Sequence, residues 1–321
     1  MKRIFVYEYL SGGGEMASGD LLAMGQSMRN AIMADLLRLG NLDLSVATCT
    51  LASRVPEPAR PVTPRNGEPA FEFVRRQADT HDLSWVVAPE TDGLLAGLRQ
   101  CVDAERWLGC DASAIELATR KRMTLTTLAG SGIATPLAFE HEPEARRWVV
   151  KPDDGAGAVE TWLHDDQEAA MEDWSMRSRA GRAMAIEPWV EGMPLSLSLL
   201  CGTKGCELLS INRQHLDVDA QGHLSFLGVD VNAVPLTDPR GASLSALSRR
   251  VHQAVPGLRG FVGIDLVWHQ QRGPVVIEIN PRVTSAYVGL SRSAGRNLAA
   301  EVIAIREAER TSRSKVAHAH G

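Results

Sequence analysis

The sequence predicts an α/β domain followed by a region of mixed β segments and helices. Strands and helices alternate from residue 1 to about 105, the pattern of a parallel, Rossmann-like sheet. From about 106 the texture changes to β segments joined by short turns, with helices between them. The last β segment, "VVIEINPR" (Val275 to Arg282), puts Glu278 and Asn280 on one strand face and Ile277 and Ile279 on the other. Polar groups on an otherwise apolar strand are costly to desolvate unless something uses them.

"RIFVYEYL" reads as the first strand and "SGGG" as the loop after it. Residues 19–39 have helical periodicity, with Leu22, Met28, Ile32, Leu36 and Leu39 as the candidate buried face. "DLSVATC" is a strand, "RVPEPARPVTPRNGEP" a surface loop, "FEFVRRQADT" a helix, and "LSWVVAP" a buried strand that ends in an acidic turn at Glu90 and Asp92. "SAIELATRKRMTLTTLAGSG" reads as one helix stopped by a glycine. Beyond it, "RRWVVKP", "VETWL", "AMAIEPWV", "LSLSLLCGTKGCELLSINRQHL", "GFVGIDLVWHQ" and "PVVIEINPR" are the β segments. Helices are expected at about 166–180, 241–255 and 295–310. The change of texture puts a first domain at 1–105, and 311–321 reads as a disordered polar tail.

The chain has 321 residues, 44% apolar and 23% charged, with a formal net charge of -5 and no large basic block. This composition speaks against nucleic acid or an anionic membrane surface as the main partner. No apolar run approaches the ~20 residues needed to span a bilayer. Glu8 interrupts the apolar start, so "MKRIFVYEYL" reads as a strand rather than a signal peptide, and a cytoplasmic protein is expected. The five cysteines form no C-x-x-C pair. Cys201 and Cys206 flank "GTKG", a hairpin turn, and are expected as free thiols facing each other across two strands.

"GFVGIDLVWHQQRGPVVIEINPR" reads as two antiparallel strands joined by a tight turn. With Gln271 and Arg272 as a two-residue loop, Asp265 falls opposite Glu278, and a change of loop type would alter that register. Asp265, Glu278 and Asn280 then form an all-oxygen cluster of the kind that suits Mg²⁺. Arg282, one strand step beyond Asn280, could neutralise charge on a transferring phosphoryl group. In "VVKPDDGAGAVETWL", Lys151 ends a strand. Gly155 and Gly157 let backbone N–H groups approach phosphates, although there is no Walker G-K-[ST]. Lys121 lies on a helix between Arg120 and Arg122, and the sequence does not separate the three. "IEPWVEG" offers Ile186, Trp189 and Val190 as an apolar wall for a purine.

These stretches, "ATRKRMTLTTLAGSGIATP", "VVKPDDGAGA", "IEPWVEG", "GFVGIDLVW" and "VVIEINPR", occur in the order and spacing of the ATP-grasp superfamily of carboxylate–amine ligases, which the chain resembles over most of 106–290. The resemblance implies a Rossmann-like domain over 1–105 and two α+β lobes, 106–190 and 191–310, that clasp ATP. It implies that Lys121 and Lys151 contact the ATP phosphates and that the loop from Asp153 to Ala158 closes over them. Glu187, Trp189 and Val190 would hold the adenine. Asp265, Glu278 and Asn280 would bind Mg²⁺, or Mn²⁺ in its place, and Arg282 with Lys151 would stabilise the reacting groups. Many family members carry a ribose-binding glutamate shortly after the hinge. This chain reads "EGMPLS" there, which leaves Glu191 or backbone groups for that task.

"FVYEYLSGGG" and "NPRVTSAYVGL" look like the branch of the family that contains tyramine–glutamate ligase, in methanofuran-type cofactor synthesis. The implied reaction is phosphorylation of a glutamate γ-carboxylate by ATP, followed by attack of an amine such as tyramine. A homodimer is the implied assembly. Candidate substrate residues are Thr284, Ser285 and Tyr287, Arg213 at the end of the long hairpin, and Glu8 after the first strand. The competing readings are a dipeptide or D-alanine-type ligase, a small-molecule kinase, and an ATP-binding module without turnover.

Overall fold

The computed structural model of the chain describes residues 1–14, 19–141 and 146–319. Its first body contains β1 (Lys2–Glu8), α1 (Gly19–Leu37), β2 (Leu42–Ala47), β3 (Arg60–Val62), α2 (Ala70–Thr80), β4 (Leu83–Val87) and α3 (Leu94–Gln100). The sheet is parallel throughout, in the order β3-β2-β1-β4. β1 and β4 are buried along nearly their whole length, as parallel strands covered on both faces must be. Short β3 lies inside the stretch that the prolines mark as loop. The helical face of α1 holds at its centre, where Met28, Ile32 and Leu36 are buried. Arg29 and Asp35 are buried there too, which apolar periodicity could not indicate.

The second body contains α4 (Ala112–Thr119), α5 (Lys121–Gly130), β5 (Trp148–Pro152), β6 (Trp162–His164), α6 (Gln167–Arg179) and β7 (Met184–Pro188). Its antiparallel sheet runs β6-β5-β7. Trp148, Val150, Met184 and Ile186 pack toward α6 with Ala170 and Trp174. Strand alternation therefore sends Lys151 and Glu187 to the opposite face.

The third body contains β8 (Met193–Gly202), β9 (Gly205–Val218), β10 (Leu224–Val234), α7 (Pro239–Ala254), β11 (Gly260–His269), β12 (Gly273–Asn280), α8 (Leu290–Ser293) and α9 (Leu298–Ala319). The antiparallel order is β10-β9-β8-β11-β12. β10 went unread in the sequence because "LSFLGVDVNAV" alternates poorly. The strand is an edge, half-buried over much of its length, with breaks in its register. The tail expected to be disordered instead continues α9 to Ala319. Cys201 does pair with Cys206 across the hairpin, and both are free thiols. Among the described residues no helix is long and apolar enough to cross a membrane.

Specific contacts lock the bodies together. Tyr287 lies between the rings of Trp85 (6.0 Å) and Phe261 (5.2 Å) and donates its hydroxyl to Asp35 Oδ2 at 2.7 Å. Leu163 N donates to Gly222 O at 2.7 Å and Leu224 N to Thr161 O at 2.9 Å, so β6 is tied to the tip of the β9–β10 hairpin. Val276 N donates to Ala134 O at 2.9 Å, which covers the free edge of β12.

Tyr287→Phe removes a donor from a buried carboxylate without opening a cavity. It is expected to lower the unfolding free energy by about 1.5 kcal/mol, read by urea denaturation.

Candidate active site

The β11–β12 hairpin brings Asp265 opposite Glu278, but by a different route from the two-residue loop the sequence suggests. His269 pairs with Gly273, so the loop is three residues, 270–272, and Gly273 closes it at φ +72°. That shift alone would pair Asp265 with Ile277. A β-bulge after Val276 inserts one residue and restores the Asp265–Glu278 pairing. Asn280 donates Nδ2 to Asp265 Oδ2 at 3.1 Å, and Gln214 also hydrogen-bonds Asp265.

The two carboxylates share a desolvated space. Burial pushes the Asp265 carboxyl up to about 8, and the adjacent Glu278 adds to the effect. Burial also disfavours ionised Glu278, but Lys121 and Lys151 outweigh this and hold its carboxyl below the ordinary range. The pair therefore titrates as a unit, with one carboxyl still protonated at neutral pH. Among the described residues no group of three or more His, Cys, Asp or Glu side chains is placed to hold a metal ion. Two carboxylates and an amide suit Mg²⁺, which keeps waters and takes its remaining ligands from phosphates.

The expected single helix around Lys121 is broken. Arg120 is extended (φ -96°, ψ 98°), ends α4 and precedes α5, so Lys121 becomes the first residue of α5. This separates the three basic residues: Lys121 is buried, while Arg120 and Arg122 are exposed. Lys121 Nζ lies 3.5 Å from Glu278 Oε2 and donates to Gly155 O. Asp153 caps the helix, its carbonyl accepting from Lys121 N and its Oδ1 from Arg122 N at 2.9 Å each. The glycine loop thus rests on the N-terminus of α5, where a helix favours anions. Gly157 has φ +66°, which suits glycine at that turn.

Lys151 is buried and donates to Glu187 Oε1 at 2.6 Å. Burial disfavours its ammonium, but Glu187, with Glu278 and Asp265 nearby, holds the lysine above its ordinary range. Glu187 Oε2 and Trp189 Nε1 are buried without a hydrogen-bond partner. Val190 packs with Phe139 and Val275, while Glu191 is exposed and paired with Arg147.

Arg282 is held by Glu90 of the first body, its Nε and Nη2 each donating at 2.9 Å to one carboxylate oxygen. The remaining sequence candidates are scattered. Thr284 lies so close to Gly263 that a Cβ there would meet its Cγ2 at 2.8 Å. Ser285 is half-buried, and Tyr287 is engaged with Asp35. Glu8 accepts from Leu10 N, Ser11 N and Ser11 Oγ, building its own turn. Arg213 is exposed, and its neighbours Asn212 and Gln214 take the opposite face. Asn212 is fully buried, bonded to Ser196, Ser198 and Ser210. Alternation along β9 would have identified Asn212 and Gln214 as the inward residues. Nothing local in the sequence could have paired Glu90 with a residue 192 positions away.

The residues fit a nucleoside triphosphate with its divalent cation. Two lysines and a glycine loop stand beside a paired carboxylate site, with orphaned polar atoms at the Glu187–Trp189 strand end. The chain belongs to the ATP-grasp family. The ATP-grasp domain matches residues 118–286, more than half of the chain, and the pre ATP-grasp 3 domain matches residues 45–115. Over 216 residues the chain is 28% identical to a tyramine–L-glutamate ligase of Methanocaldococcus jannaschii, a match that spans 67% of this chain and 60% of that relative. In fold it is similar to an ATP-grasp superfamily protein from Archaeoglobus fulgidus (TM-score 0.70, 20% identity, covering 95% and 88% of the two chains). It is also similar to a D-alanine–D-alanine ligase from Bacillus anthracis complexed with ATP (TM-score 0.67, 15% identity, 98% and 100%).

A carboxyl raised to about 8 means that the folded, metal-free protein keeps a proton which the unfolded chain loses above about pH 4. Metal-free stability should therefore fall as pH rises from about 4 to 8. Asp265→Asn is expected to flatten this slope in urea titrations at pH 5.5 and 8. An unchanged slope would show that the pair does not titrate this way.

Proposed function

We propose that the protein is an ATP-dependent carboxylate–amine ligase that works through an acyl phosphate. The observation that carries this is the convergence of Lys121 and Lys151 from the second body with the Asp265–Glu278–Asn280 cluster and Arg282 of the third.

A carboxylate at neutral pH is a poor electrophile. Transfer of the ATP γ-phosphoryl group to a carboxylate oxygen yields ADP and an acyl phosphate, which has the missing leaving group. The amine then attacks the carbonyl carbon, phosphate departs, the nitrogen loses a proton, and an amide results. Asp265, Glu278 and Asn280 would hold Mg²⁺, which supplies charge neutralisation to the phosphates when bound. Lys121 and the backbone N–H groups of the glycine loop would hold the phosphates. Lys151 and Arg282 would offset charge on the transferring group, so catalysis is mainly positioning and electrostatics. Glu187, Trp189 and Val190 would receive the base, with Glu191 at the exposed rim for the ribose.

The substrates we propose are the γ-carboxylate of glutamate and an amine such as tyramine. Support comes from the 28% identity to an archaeal tyramine–L-glutamate ligase. The crevice at the carboxyl ends of β1 and β4, where Glu8 and Glu90 lie, is where open α/β sheets receive small ligands. Thr284 and Ser285 would face it from the strand end after Arg282. The assembly we propose is a homodimer in the cytoplasm.

The test is ADP release by purified protein with Mg-ATP and tyramine plus L-glutamate, against each substrate alone. ADP formed only with both, together with an amide product, supports the full reading. ADP with a different acid and amine keeps the ligase and replaces its substrates. A stable phosphorylated product without an amine requirement would make the protein a kinase. Glu278→Gln is expected to lower kcat by at least about 100-fold with the fold intact. Near-normal turnover in that variant would sink the metal assignment.

A further inference from the structure

We propose that Glu90 is a positioning residue that fixes the Arg282 guanidinium, so that its unused N–H groups meet an anionic oxygen of the reacting substrate. The inference rests on the ligase reading of Arg282. A guanidinium has five N–H donors. Glu90 takes Nε and Nη2 at 2.9 Å each, and Val283 O takes Nη1 at 3.3 Å. One N–H is left on each terminal nitrogen, enough to hold one anionic oxygen in a fork.

The setting argues for a role beyond tying two domains together. Glu90 is buried (5% exposed) at the carboxyl end of β4, beside the switch point of the order β3-β2-β1-β4, where an open sheet places its ligand. The same turn reaches the glycine loop, since Asp92 N donates to Asp154 Oδ2 at 2.7 Å. One short segment of the first body thus orients both the arginine and the loop proposed to hold the phosphates. A free arginine would have to lose its rotamer freedom during the reaction, whereas a bidentate carboxylate removes that freedom beforehand.

The experiment is a double-mutant cycle with Glu90→Gln, Arg282→Lys and both together, measured by ADP release. Glu90→Gln is expected to lower kcat by about 10- to 100-fold while the KM for ATP stays within about two-fold. The double variant should be no slower than Arg282→Lys alone, because Glu90 acts through that residue. The Arg282 Nε–H resonance in nitrogen-15 spectra, assigned by its loss in Arg282→Lys, should shift and exchange faster in Glu90→Gln. A wild-type kcat in Glu90→Gln, independent losses that multiply in the double variant, or an unmoved resonance would each overturn the inference. If Glu90→Gln does not fold, Glu90→Asp takes its place in the same cycle. If the wild type releases no ADP with any acid and amine, the ligase reading fails. Calorimetric binding of inorganic phosphate in the presence of Mg-ADP then decides the role of Glu90. Weakening in Glu90→Gln to the level of Arg282→Lys sustains it, and unchanged affinity overturns it.

Discussion

Two carboxylates held side by side in a half-buried site are the constraint on which the rest of the site depends. Asp265 and Glu278 cannot both ionise freely side by side, and a proton on Asp265 eases this only in part. Asn280 of the hairpin donates to Asp265, and the rest of the relief comes from elsewhere: Lys121 from a helix start, Lys151 from another sheet, and Gln214 from β9. Each of these must in turn be held. Asp153 caps the helix that carries Lys121, and Glu187 pairs with Lys151. The site is thus a set of opposed charges whose balance is completed by whatever cation and anion enter it.

Much of this arrangement was legible in the sequence because strand alternation is a strong rule. Glu278 and Asn280 share a face as expected, but Ile277 and Ile279 do not: at the bulge Ile277 turns to Phe139, Val190 and Val275, while Ile279 joins the main core with Val276. The Asp265–Glu278 pairing came out correctly for an incomplete reason. The loop is one residue longer than the tight turn suggests, and the bulge near Ile277 absorbs the difference. A bulge carries no clear signature in an apolar run, so the register was readable only as far as the side-chain chemistry required it. The same limit applies at Arg120. Its helix-forming context hides an extended residue, and that break is what distinguishes Lys121 from its neighbours.

The features that stayed hidden are those created by distance along the chain. Glu90 looked like part of an acidic turn, and Tyr287 like a candidate substrate contact. In the fold Glu90 meets Arg282, and Tyr287 meets Asp35, Trp85 and Phe261. Glu8, which also looked available, is occupied by the turn it builds. Local pattern identifies which residue types are costly to bury, but not which distant group compensates for them.

The backbone tie between β6 and the tip of the β9–β10 hairpin has a consequence for traffic through the cleft. The glycine loop runs straight into β6, and β6 is pinned at both Leu163–Gly222 and Leu224–Thr161, with Trp162 and His223 ring to ring at 5.0 Å. The loop therefore has one end on α5 and the other on the C-terminal lobe, like a strap buckled at two points. A bulky molecule that enters beneath it must either slip through the open side or unfasten the hairpin end. Exchange of a spent nucleotide would then be timed by the parting of two edge strands, an event at the junction of the second and third bodies, away from the reacting atoms.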